Sequence, residues 1–249
     1  SPVDCQTEQY GAGNEDRDYQ FRTYGYEAPL FKDGFESGNL GKWDKNVGKT
    51  SLGIAEFSAE ALCKLCVVGP GSLVGSKSLK VKIPNNKARY VQDTLDSAQS
   101  EYHARFKIKR GTTLKMGKLN SFKLLVGKKG TKTPFYLEVR RKAVKFQIRG
   151  AAKKDGAGFA FTPWTNLPKA ATWVEVDLKT AKLIGGSSGH IKLYINNVLK
   201  VKKTEILNET HDVKAIRLGI AEKIKNSYNI SGTFLLDGFK SDAARLLIP

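Results

Sequence analysis

Apolar and polar residues alternate one for one in segment after segment of this chain. A period of two is the mark of a strand with one face in a core and the other in water. In Tyr102-His103-Ala104-Arg105-Phe106-Lys107-Ile108-Lys109, Tyr, Ala, Phe and Ile share one face, while His, Arg and the two lysines share the other. Ser78–Ile83 alternates likewise until Pro84 ends it. Leu137 and Val139, then Val144, Phe146 and Ile148, predict a hairpin across Phe135–Arg149 with its turn near Arg141-Lys142. Val174, Val176 and Leu178 predict a further strand. Ile191, Leu193 and Ile195 lead into Asn196-Asn197, a pair suited to the positive φ angles of a tight turn, beyond which Leu199 and Val201 continue. Ile216–Leu218 and Thr233–Asp237 supply two more. Many short strands, turn residues between them and no convincing helix predict an all-β sandwich or barrel. Glu56–Leu65 stays open: its Ala and Leu residues favour helix, whereas Cys63-x-x-Cys66-Val67-Val68 favours strand.

The chain has 249 residues, enough for one large β domain or two small ones, and its 40% hydrophobic content supports a substantial core. No apolar run approaches the ~20 residues needed to cross a bilayer, so no membrane span is expected. The chain begins Ser-Pro-Val-Asp-Cys rather than with Met, as it would after loss of a signal peptide and equally at another chain boundary.

Formal charge is +18, and it is uneven. Residues 1–30 hold six acids (Asp4, Glu8, Glu15, Asp16, Asp18, Glu27) against Arg17 and Arg22, a net of −4 that leaves +22 on the rest. Tyr10, Tyr19, Phe21, Tyr24 and Tyr26 are interleaved among them, which describes an arm that needs a surface to lie on. Residues 31–249 would form the body. A strongly basic body attracts polyanions, whether acidic polysaccharide, anionic cell surface or nucleic acid, and a Lys-rich surface also serves plain solubility.

Cys5, Cys63 and Cys66 are the only cysteines, and His103, His190 and His211 are scattered, so the paired ligand spacing of a zinc site is missing. Cys63-Lys-Leu-Cys66 has redox-motif spacing but no strand–helix context. In an oxidising compartment either Cys63 pairs with Cys66, or Cys5 ties the arm to the body.

Three motifs then come in order. Phe31-Lys-Asp-Gly-Phe-Glu36-Ser-Gly-Asn-Leu40 with Trp43, the stretch Thr172-Trp173-Val-Glu-Val176 followed by Gly189-His-Ile-Lys-Leu-Tyr-Ile-Asn-Asn197, and Arg217-Leu-Gly219 followed by Ser231-Gly-Thr-Phe-Leu-Leu-Asp237-Gly-Phe239 cover residues 31–248. Together they resemble the concanavalin-A-like lectin/glucanase (laminin-G-like) superfamily found in many bacterial secreted domains. The resemblance implies a two-sheet antiparallel jelly-roll sandwich carrying an extended N-terminal arm, with Trp43 and Trp173 buried, and a secreted, extracellular or cell-surface location. It does not select a function, because this fold hosts lectins, glucanases, lyases and adhesive modules.

The family-16 glucanase signature E-x-D-x-x-E starts correctly at Glu175-Val176-Asp177, but Thr180 replaces the second glutamate. A jelly-roll polysaccharide lyase needs a base and a carboxylate-neutralising set, for which His103, Arg105, Arg140 and Gln147 have suitable chemistry if they share a face. Related domains often pin first and last strands with a structural calcium, for which Glu36 and Asp237 are the candidates; otherwise Glu36 caps a turn and Asp237 accepts backbone hydrogen bonds. Asn208-Glu-Thr210 and Asn229-Ile-Ser231 are sequons suited to exposed loops.

The leading expectation is a non-catalytic module that binds acidic or neutral polysaccharide, or an anionic surface. Its contact residues would be Arg105, Lys107, Lys109, Arg140, Lys145 and Arg149, a lattice on the outward strand positions, with Trp164 stacking on a sugar ring. Nucleic acid is not expected, since aromatic–basic interleaving on a nucleic-acid fold is missing. The competing class is a self-assembling subunit (filament, layer or matrix) joined as a homo-oligomer through the arm.

Overall fold

The computed structural model describes residues 28–49, 63–69, 73–182 and 188–243. Of the expected arm over residues 1–30, residues 1–27, Cys5 among them, lie outside the described residues, and so do residues 56–62 of the ambiguous stretch. Among the described residues there are seventeen strands, numbered along the chain, and no helix long and apolar enough to cross a membrane.

The strands form two antiparallel sheets. Sheet A runs β15 (Val198–Ile206), β14 (Gly189–Ile195), β13 (Thr172–Lys179), β6 (Glu101–Arg110), β17 (Ile230–Asp242), β4 (Ser78–Ile83), β3 (Leu65–Val68), with β1 (Phe31–Asp33) and β7 (Lys115–Met116) also paired to β17. Sheet B runs β11 (Phe159–Phe161), β10 (Lys145–Lys153), β9 (Lys132–Lys142), β8 (Ser121–Lys129), β16 (Val213–Ile220), β5 (Arg89–Gln99), β2 (Lys45–Val47), with β12 (Thr165–Asn166) paired to β10. This is the jelly-roll sandwich that the motifs imply.

Alternation becomes burial on both sheets. Tyr102, Ala104, Phe106 and Ile108 of β6 face Phe135, Leu137 and Val139 of β9, all 3% exposed or less. The Tyr102 and Phe135 rings meet across the sandwich at 5.9 Å, as do Phe122 and Phe234 at 5.6 Å. Each such side chain contributes about 1.5–3 kcal/mol on leaving water. Gly150 lets the sheets approach: a Cβ there would stand 2.9 Å from Ile191 Cδ1.

The opening and closing motifs pack on each other. β1 pairs with β17 from Phe31↔Ser241 to Asp33↔Phe239. Buried Trp43 packs against Phe31 at 4.7 Å and Phe239 at 5.3 Å, and its Nε1–H donates to Asp33 Oδ2 (2.8 Å). Asn196 and Asn197 take φ of 50° and 67°, the tight turn that the sequence predicts.

Two expectations are corrected, and one open stretch is resolved in part. The β9–β10 turn lies at Ala143-Val144 rather than Arg141-Lys142, because both strands extend to the Lys142↔Lys145 pair; Val144 is therefore 83% exposed instead of inward. Trp173 is not buried in the core. It stands on the outer face of sheet A, since Val174 and Val176 claim the inward positions of β13. The described end of the ambiguous stretch is strand: Leu65 begins β3, beside a Cys63–Cys66 disulfide.

Candidate functional site

The six outward cations do not share a face. Arg105, Lys107 and Lys109 lie on β6 and point out from sheet A, whereas Arg140, Lys145 and Arg149 lie on β9 and β10 and point out from sheet B. The core separates the two sets. His103 and Arg105 are likewise parted from Arg140 and Gln147, so the residues considered for a lyase are not assembled. Alternation says that a residue points outward but not from which of two sheets.

Sheet B does bring Arg140, Arg149 and Trp164 together. Trp164 leaves the β11–β12 connection and is half-buried, its ring centroid 4.0 Å from the Arg140 guanidinium and 4.4 Å from that of Arg149. Arg149 also lies 4.1 Å over Phe161, while Lys153 and Lys123 lie over Phe159 (5.3 Å) and Tyr136 (4.4 Å). Beneath them Val126, Tyr136, Ala151 and Ala221 form a second, small apolar cluster with Phe159. The result is a row of aromatic rings and cations across β11, β10, β9 and β8. Lys145 stands exposed where β10 begins.

Hydrogen bonds fix the cations in this row. Arg140 Nε donates to Gln147 Oε1 (3.0 Å), and Arg149 Nε and Nη2 donate to Glu138 Oε2 (2.9 and 2.8 Å). Ser121 Oγ also donates to Glu138, and Lys123 Nζ pairs with Glu222 at 2.6 Å. Desolvation and then the like charge of Arg149 lower the Arg140 proton affinity, and burial, with Glu138 next, pushes Tyr136 up to about 12. Beside the row a cavity of about 180 Å³ is lined by Ser121, Lys123, Glu138, Glu222, Lys225 and Tyr228 among others. Such a surface offers rings for the C–H face of a sugar, guanidiniums for carboxylate or sulfate, and carboxylates for hydroxyls. Sequence reasoning missed Tyr136, Glu138, Phe159, Phe161 and Glu222. Phe159-Ala160-Phe161 carries the alternation that could have signalled two of them.

The outer face of sheet A compensates itself. Arg105 and Lys107 lie 4.1 and 5.5 Å over Trp173, and Lys107 Nζ donates to the Leu73 carbonyl (3.0 Å). His103 stands 3.6 Å from Glu175, both nearly fully buried. Burial would raise Asp177, but His190 at 3.2 Å and Lys192 at 3.3 Å outweigh it and hold the carboxyl below the usual range. The glucanase-like residues Glu175 and Asp177 are thus committed to partners, and Thr180 is buried at 2% with its N–H on the Ser100 carbonyl. Of the β6 cations only Lys109 is exposed; the others are partly buried.

Glu36 and Asp237 both engage the 73–78 loop. Glu36 accepts from the Ser76 N–H, the Ser76 hydroxyl and the Lys77 N–H; Asp237 Oδ2 accepts from the Leu73 and Val74 N–H groups and the Ser78 hydroxyl. Burial raises Asp237 despite these bonds. Among the described residues no three His, Cys, Asp or Glu converge as a metal cluster. The sequons differ: Asn229 is exposed, but Asn208 is 1% exposed, accepting from the Ala181 N–H (2.9 Å) and donating to the Lys179 carbonyl (3.4 Å), so it is a structural bracket and not an exposed-loop acceptor.

No protein-family model and no curated protein matches the sequence. Solved structures do. The cellulose-induced protein Cip1 superposes with a TM-score of 0.56 at 17% identity, over 88% of this chain and 100% of that one. Alginate lyase Aly36B superposes at 0.52 and 10% identity, over 90% and 95%. A botulinum neurotoxin type C chain, from a toxin described as needing two ganglioside molecules to enter cells, superposes at 0.50 and 14% identity, over 74% of this chain and 44% of that one. At these identities the likeness establishes the fold alone: a two-sheet jelly-roll sandwich.

Proposed function

We propose that this protein is a non-catalytic, extracellular module that binds glycan through the outer face of sheet B, with Arg140, Arg149 and Trp164 at its centre. The carrying observation is the cation–aromatic row held in place by Glu138 and Gln147. Planar rings and fixed guanidiniums recognise a uronic or sulfated sugar at little conformational cost. Fold neighbours named for cellulose induction, alginate cleavage and ganglioside interaction support a carbohydrate partner. The Cys63–Cys66 disulfide supports an oxidising, extracellular setting. The dispersal of His103 and Arg105 away from Arg140 and Gln147 supports binding over lyase chemistry.

The test is titration of polyuronate and sulfated oligosaccharides into wild type, Trp164→Ala and Arg140→Gln/Arg149→Gln, with ultraviolet absorbance followed in parallel. Binding weakened about tenfold in each variant, at unchanged fold, is the expected result. Undiminished affinity would refute the site, and growth of the unsaturated-product absorbance would refute the non-catalytic part.

A further inference from the structure

A second charged feature lies at the β2–β5 edge of sheet B, away from the aromatic row. There a cleft of about 610 Å³ is lined by Lys49, Lys64, Lys87 and Arg89, with Asn85 and Gly48, and by no carboxylate among the described residues. Lys49, Lys64 and Lys87 are exposed, whereas Arg89 is only 3% exposed. Elsewhere on the sandwich Lys123, Lys129, Arg149 and Lys179 each meet a carboxylate and Arg140 meets an indole, whereas buried Arg89 meets neither among the described residues.

Arg89 has neutral acceptors only. Its Nη1 donates to the Lys87 carbonyl (2.9 Å) and the Asn85 carbonyl (3.4 Å), and its Nη2 to Asn85 Oδ1 (2.6 Å). Nε is buried and makes no hydrogen bond. The carbonyls orient the guanidinium and leave its charge uncompensated, in a place where water screens it poorly. Burial lowers its proton affinity accordingly. The setting is built around this side chain: Gly48, at φ +81°, lies against the arginine stem, where a Cβ would stand 2.7 Å from Arg89 Cγ.

We infer that this cleft binds a tetrahedral oxyanion, sulfate or phosphate, with Arg89 at its base and Lys49 and Lys87 on its rim. Lysine ammoniums are compact point charges, and two of them on different segments beside a guanidinium suit an anion with oxygens on all sides better than a planar carboxylate. The ion is either free or an ester group on a polymer; the chemistry of recognition is the same. This site does not depend on the glycan reading of the aromatic row.

Calorimetric titration of sodium sulfate and sodium phosphate into the whole chain, at constant ionic strength in chloride, tests it. One saturable site is expected, with affinity at least tenfold lower in Arg89→Gln. Because Arg89 also ties down the turn at Asn85–Lys87, Lys49→Gln/Lys87→Gln provides a second variant that leaves that bracket intact; a several-fold loss at unchanged Tm is expected. Lys200→Gln/Lys202→Gln on the exposed β15 should bind like wild type, and so should Trp164→Ala. Absence of saturable binding in wild type, or equal losses in the two lysine pairs, overturns the proposal. A sulfated oligosaccharide that competes with sulfate and weakens in Lys49→Gln/Lys87→Gln supports the site and assigns the ion to a polymer. Sulfate binding that such an oligosaccharide leaves undisturbed supports it as a site for the free ion.

Discussion

Asp93 lies where a carboxylate is least welcome. On β5 it alternates with Gln92 and Thr94 and so shares the inward side with Val91 and Leu95, at 8% exposure. Burial, followed by repulsion from Asp44 and Asp96, pushes it up to about 6 from an ordinary 3.8. A raised native pKa means that the folded protein holds a proton which the unfolded chain has released. Stability therefore falls as pH rises from about 4 through about 6, and the penalty is fully present above that. At 1.36 kcal/mol per pKa unit the gap is worth about 3 kcal/mol, and relaxation with water reaching the edge of the core reduces the expectation to about 1–2 kcal/mol. Asp93→Asn removes the charge and keeps the shape. Urea unfolding of both proteins should show the variant more stable by that amount at about pH 7.5, with the difference shrinking as pH falls to about 4. Asp177 and Asp155, held low by their partners, titrate equally in both proteins and cancel in the comparison. Parallel pH profiles, or a larger difference at the acid end, would show that Asp93 carries no such penalty.

Other outcomes are expected. Asn208→Ala should lower stability by about 2–3 kcal/mol, because it strands the buried Ala181 N–H, and chemical denaturation will measure it. Reducing Cys63–Cys66, a short loop, should remove about 2 kcal/mol by loop-closure entropy, read as a fall in Tm under reductant. Affinity for acidic glycan should drop steeply as salt contracts the screening length from ~30 Å at 0.01 M to ~8 Å at 0.15 M. Salt-independent affinity would mean that the guanidiniums of the aromatic row do not take part.

The strands were legible because alternation is a local signal that the fold satisfies directly: Tyr102 to Ile108 and Leu79 to Ile83 are inward as the pattern requires. Partnership across strands was not. Arg105 and Arg140 carry the same outward pattern, yet β6 is laid into one sheet and β9 into the other by long-range pairing that no local window encodes. Trp173 and Asn208 fail for a related reason. An indole under two cations and an amide spanning two backbone segments are defined by neighbours 27 to 68 residues away, in β6 or across the β13 connection, not by their own flanking residues. The candidate site was thus half visible: Arg140, Arg149 and Trp164 stood out by type, while Tyr136, Phe159 and Glu222 join them only through register.

The pairing of β1 with β17 sets how the sandwich responds to load. Phe31 and Ser241 are direct partners in an antiparallel ladder, whose facing Cα atoms stand ~4.5–5.5 Å apart. Tension applied at those two points acts across the ladder rather than along it, so it loads the Phe31–Ser241 pair first and Asp33–Phe239 last. Pulled this way the seam should part rung by rung at low force. Tension applied between Phe31 and the far end of β17 would have to shear every rung at once.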